Sequence, residues 1–133
     1  MAERVVLCVD DEALILLSLR HSLSRALGAG YRCETALSGE SALACLEALA
    51  LEGRHVAAVV SDWRMPGMNG DEFLRQVRAG YPTLPLVVLT GYAEREQLQS
   101  LDAELRLSAT LHKPCDVAQL AGLIQRLSGN ACV

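Results

Sequence analysis

The sequence predicts an α/β fold, an open parallel sheet with helices on both faces. Three observations carry this. Short apolar, β-rich runs alternate five times with helix-period segments. Three of the runs are apolar without interruption, as strands buried on both faces must be. The hydrophobic fraction of 51% is supplied mainly by Leu, Val and Ala, against only 4% aromatics. With 133 residues there is room for one core and no second domain.

Val5–Val9 is the first strand, followed by a helix whose Leu16, Leu19, Leu23 and Leu27 recur at steps of three and four. Tyr31–Thr35 alternates polar with less polar residues, which suits an edge strand with one wet side. Leu43, Leu46 and Ala50 mark the stripe of the second helix. Val56–Val60 is the third strand, and a loop is expected at 63–69. Its turn residues Pro66-Gly67-Met68-Asn69-Gly70 precede a short helix around Phe73, Leu74 and Val77.

Leu86–Leu89 is the fourth strand and, like the first and third, belongs in the middle of the sheet. The segment Glu94–Glu104 is mostly polar, with Leu98, Leu101 and Leu105 spaced to face inward, so its packing is expected to be the loosest. Leu107–Leu111 reads as the second edge. Val117, Leu120, Ala121, Ile124 and Leu127 give the last helix. The expected domain is 1–128, with a short tail at 129–133.

A net charge of −4 argues against a surface that grips nucleic acid, which needs a clustered positive field. No apolar run approaches the ~18 residues of a membrane span, and Met1-Ala2-Glu3-Arg4 shows no signal-peptide pattern. Cys8, Cys33, Cys45, Cys115 and Cys132 form an odd set without a CxxC pair, so reduced thiols are expected rather than disulfides or a zinc site. The expected location is cytoplasmic.

In an open parallel sheet, groups at the carboxyl ends of the strands converge on the ligand crevice. Those ends are Asp10-Asp11-Glu12, Ser61-Asp62, Thr90-Gly91 and His112-Lys113-Pro114. Acids gathered so closely demand a cation, and a hard oxygen-liganded ion, Mg²⁺ or Mn²⁺, meets the demand. Asp11 and Asp62 suffice as direct ligands, with Asp10 acting through water and the backbone carbonyl of Arg64 completing the set. Asp62, at the end of a central strand ahead of an irregular loop, is the candidate nucleophile toward phosphorus, and Thr90 and Lys113 would hold the acquired phosphoryl group. Against this stands a plainer possibility for Asp10-Asp11-Glu12, a helix N-cap favoured by the helix dipole. His112 is assigned no role. Trp63 and Arg64 border the acceptor, either tuning donor access or simply occupying an exposed loop.

VDDE at 9–12, SDWRMPGMNG at 61–70, LTGYAE at 89–94 and HKP at 112–114 occur in order and in register. Together they make the chain resemble the receiver domains of two-component response regulators, over nearly its whole length. The resemblance implies a flavodoxin-like, doubly wound fold, with five parallel strands in the order 2-1-3-4-5 and five helices. It implies Asp62 as phospho-acceptor from a sensor histidine kinase or phosphotransfer protein, Asp10 and Asp11 as the acidic metal pair, Thr90 as switch hydroxyl, Lys113 as the phosphate-binding lysine and a cis bond at Pro114. Such a domain is a switch rather than an enzyme, catalysing only its own phosphotransfer and slow autodephosphorylation. Its output would reach an attached domain, a downstream protein or a second copy through the face of the Glu94–Glu104 helix, the fifth strand and the last helix. The chain departs from the pattern at Thr110, where receivers commonly carry Tyr or Phe; Tyr92 is the nearby aromatic. Rival readings are an aspartyl phosphatase of haloacid-dehalogenase type, which wants Asp where Arg64 stands, a flavodoxin-type cofactor binder, whose phosphate the first loop's acids would repel, and a pseudo-receiver that only binds partners.

Overall fold

Three apolar strands at the centre leave their neighbours to be edges, and the computed structural model has that arrangement. It describes residues 4–63, 70–90, 104–112 and 116–131, with side chains to 127 in the last helix. The described elements are β1 (Arg4–Val9), α1 (Ala13–Leu27), β2 (Tyr31–Ala36), α2 (Gly39–Leu51), β3 (His55–Asp62), α3 (Gly70–Gly80), β4 (Leu86–Thr90), β5 (Ala109–His112) and α4 (Val117–Ala131). All neighbouring strands pair in parallel, in the order β2-β1-β3-β4-β5. The two strands read as edges are the edges. The expected helix at 94–104 lies outside the described residues except for its end, where Glu104 and Leu105 are helical. Of the loop expected at 63–69, Trp63 is described and residues 64–69 lie outside the described residues too. α4 runs to Ala131, past the point where a tail is expected to begin.

The pleat divides the core in two. Leu7, Val9, Val59, Leu86 and Val88 point to one side, against Ala42 and Leu46 of α2 and Phe73, Leu74 and Val77 of α3. Val6, Cys8, Val60, Val87 and Leu89 point to the other, against Leu16, Leu23 and Leu27 of α1 and Leu120, Ala121 and Ile124 of α4. The α2 stripe differs from the expected one. Ala42, Leu46 and Leu49 are buried, Leu43 is half-buried and Ala50 is exposed. Leu49 takes the inward place because it lies three residues after Leu46, and Ala50, one residue on, is turned about 100° away.

One irregularity sets the register of the site. Val5 pairs with Val56 but Val6 pairs with Ala58, so β3 carries one residue more than β1, and Ala57 and Ala58 both face the α1/α4 side. This is a β-bulge. Downstream of it, Val9 stands opposite Ser61. With no extra residue Val9 would face Val60, and Asp62 would sit about 3.3 Å further along with its side chain on the other face.

Candidate metal and phosphoryl site

Each chemical group lies where a strand runs out. Asp10 follows β1, Asp62 ends β3 and Thr90 ends β4, so all three residues stand at the carboxyl edge of the sheet. This edge flanks the switch point of the topology, where β1 sends its connections to β2 on one side while the chain continues through β3 on the other. Carboxylate oxygens of Asp10, Asp11 and Asp62 all lie within 4.8 Å of one another. Asp10 is 4% exposed, Asp62 stands at the border of burial at 8%, and Asp11 faces solvent. A buried acid beside an exposed one gives a cation both a fixed ligand and an open side for water, which suits a hard ion that retains part of its hydration shell. The three residues fit a divalent cation by their donor chemistry.

The turn after β1 is held by these acids. The backbone N–H of Asp10 donates to the Ala36 carbonyl at 3.2 Å, and that of Glu12 donates to Asp10 Oδ1 at 3.0 Å. Glu12 occupies the N-cap position of α1, and its side chain makes no capping bond. At α1 the capping alternative is thus not met by Glu12, and the bond this acidic run makes there is that of Asp10 with the Glu12 N–H. By contrast, α2 has a conventional cap, with Ser38 Oγ accepting from the Ser41 N–H at 3.1 Å.

Thr90 is 1% exposed and pairs with His112 across the β4–β5 ladder, so the end of β5 lies level with it. Lys113, the next residue, lies outside the described residues, as do Arg64, Tyr92 and Pro114. Thr110, the departure from the expected aromatic, is exposed on β5. Trp63 is half-buried and packs on the α2/α3 core, so it is anchored rather than a free loop residue. Cys8 and Cys33 are buried free thiols and Cys45 is half-buried. Burial pushes the Cys8 thiol far up, with Cys33 adding to the effect, and burial raises Cys33 and Cys45 as well.

Two contributors were not singled out from sequence. Ser61 is 1% exposed and its hydroxyl donates to the Asp62 carbonyl at 3.0 Å. Arg78, at the end of α3, donates to the carbonyls of Leu105 (2.7 Å), Leu84 (2.8 Å), Pro82 (3.0 Å), Tyr81 (3.2 Å) and Arg106 (3.2 Å). It thereby ties α3 to both segments that lead into β4 and β5. Desolvation, and then the neighbouring Arg106, lower its pKa from the usual arginine value.

The comparisons with known proteins agree with this geometry. A family model described as the response regulator receiver domain matches residues 6–125. The DNA-binding transcriptional regulator NtrC of Salmonella typhimurium is 33% identical over 127 residues, 95% of this chain but 25% of that protein. The sensor kinase CckA of Brucella abortus is 34% identical over 123 residues, 92% of this chain and 12% of that protein. Among solved structures, the chemotaxis protein CheY4 of Vibrio cholerae superposes with a TM-score of 0.77 at 32% identity, covering 95% of this chain and 99% of that one. The chain thus spans a quarter or less of the two curated relatives, and nearly all of the solved one. With the family model spanning most of the sequence, this chain belongs to the response regulator receiver domain family.

Proposed function

We propose that this domain accepts a phosphoryl group on Asp62 from the phosphohistidine of a sensor histidine kinase or a phosphotransfer protein, with Mg²⁺ or Mn²⁺ held by Asp10, Asp11, Asp62 and the Arg64 carbonyl. The observation that carries it is the meeting of the three carboxylates, within 4.8 Å of one another, at the sheet edge where Thr90 also ends its strand. A carboxylate oxygen of Asp62 attacks phosphorus, the phosphorus–nitrogen bond breaks, and the imidazole leaves with the electron pair and takes up a proton. When bound, a divalent cation would offset negative charge on the phosphoryl oxygens. Asp10 and Asp11 hold it, while Thr90 and Lys113 bind the transferred group.

The acquired group adds roughly 1.5 to 2 negative charges. Thr90 and Lys113 move to meet them, and the loops after β4 and β5 move with them. The output face then comprises the 94–104 segment, β5 and α4. On this reading the domain is a cytoplasmic switch that turns over only its own phosphoryl group. Its output passes to an attached domain, a downstream protein or a second copy, with no nucleic acid bound directly. Kinship with a DNA-binding regulator and a sensor kinase supports a module that serves different attached activities.

Intact-mass spectrometry after incubation with acetyl phosphate and Mg²⁺ tests the proposal. One phosphoryl group should be gained, none with Asp62→Asn, and none when chelator replaces the cation. An unchanged mass in the unmodified protein, or full labelling of Asp62→Asn, would overturn it.

A further inference from the structure

The peptide unit that follows the Asp62 Cα is held at both of its polar atoms. Its oxygen, the Asp62 carbonyl, accepts from the Ser61 hydroxyl at 3.0 Å. Its nitrogen, the Trp63 N–H, donates to the Leu89 carbonyl at 3.1 Å. A peptide plane has one rotation relative to the preceding Cα, so fixing both atoms fixes the direction in which the chain leaves Asp62. The second bond also ties the end of β3 to β4 one residue before Thr90.

Ser61 is poorly explained as core filler. It is 1% exposed, and its partners in the ladder are Val9 and Val88, both members of the α2/α3 core. In such surroundings a hydroxyl costs desolvation energy unless it is bonded. The bond it makes goes to the carbonyl next to the candidate acceptor.

We propose that Ser61 is a positioning residue for phosphoryl acceptance, its hydroxyl clamping the Asp62–Trp63 peptide so that the Asp62 carboxylate and the backbone following it keep their aim at cation and phosphorus. This rests on the reading of Asp62 as acceptor. A site of this kind works by pre-organisation, so a small loss of aim appears in rate more than in binding.

The test compares Ser61→Ala and Ser61→Thr with the unmodified protein, by intact-mass labelling rates at varied acetyl phosphate and saturating Mg²⁺. Ser61→Ala should lower the maximal rate on the order of tenfold with little change in the donor concentration for half-maximal rate. Ser61→Thr, which keeps the hydroxyl, should recover most of the loss. Amide hydrogen exchange gives a second readout: the Trp63 N–H should be protected in the unmodified protein and exchange markedly faster in Ser61→Ala, while the Val60 N–H is unchanged. Equal rates for Ser61→Ala and the unmodified protein would overturn the clamp, as would an unprotected Trp63 N–H in the unmodified protein, a result that needs no variant to fold. Failure of the unmodified protein to label at all would instead count against the acceptor role of Asp62, leaving Trp63 exchange in Ser61→Ala to decide the clamp.

Discussion

At the scale of single residues, what the sequence discloses depends on whether a side chain's role is carried by its type or by its partners. Asp10, Asp11, Asp62 and Thr90 are polar residues at the ends of apolar runs, so type and place together announce them. Arg78 gives no such signal. Its role is made by the carbonyls of residues 3 to 28 positions away, and on the sequence it is one of several charges on an amphipathic helix. A planar guanidinium can serve several carbonyls at once where an ammonium cannot. Arg78→Ala should therefore destabilise the fold by roughly 2 kcal/mol, and Arg78→Lys should recover less than half of that. Urea unfolding followed by circular dichroism measures both; a loss under about 0.5 kcal/mol would place Arg78 among ordinary surface residues. The neighbouring Arg75 bridges Asp71 at 3.1 Å and Glu104 at 3.1 Å, but on an exposed surface, where such pairs contribute little.

At the scale of elements, periodicity revealed most of the architecture because each strand and helix has to bury a face. Continuous apolarity distinguished β1, β3 and β4 from the edges, and the stripes of α1, α3 and α4 followed from spacing. The phase of α2 is harder to read, since its run of Ala and Leu offers nearly equivalent apolar faces, and the buried one carries Ala42, Leu46 and Leu49 rather than Ala50. The bulge was illegible for a related reason. Ala57 and Ala58 are both small and apolar, so nothing in the run shows which of them is the additional residue. α3 is the opposite case, a short helix with Phe73, Leu74 and Val77 all fully or nearly fully buried. Phe73 is the chain's only phenylalanine and is 0% exposed, between α3 and the sheet. Phe73→Ala should cost about 3–5 kcal/mol, a large share of the roughly 5–15 kcal/mol that hold a domain of this kind together. Its urea midpoint should fall accordingly, and a shift equivalent to less than about 1 kcal/mol would mean that α3 contributes little to the core.

At the scale of the whole molecule, the site sets a conflict between holding a cation and holding the fold. Three carboxylates with oxygens within 4.8 Å repel one another, and two of them are largely removed from water. Unfolding separates them, so without a cation the site works against the folded state; a cation bound only by the folded chain reverses that balance. Two opposite results should follow from one substitution. Asp11→Asn removes one repelling charge from the solvent-facing side without emptying core volume, and should raise the melting temperature in chelator. The same change removes a ligand, and should diminish the rise that Mg²⁺ produces. For the unmodified protein, cation at about ten times its dissociation constant adds roughly 1.4 kcal/mol, a rise of about 4–5 °C for a domain of this size. Calorimetry in chelator and across a Mg²⁺ series measures all of these. A melting temperature indifferent to Mg²⁺ up to tens of millimolar would mean that the acids do not share an ion. An Asp11→Asn protein less stable than the parent in chelator would mean that Asp11 supports the turn after β1 more than it repels its neighbours.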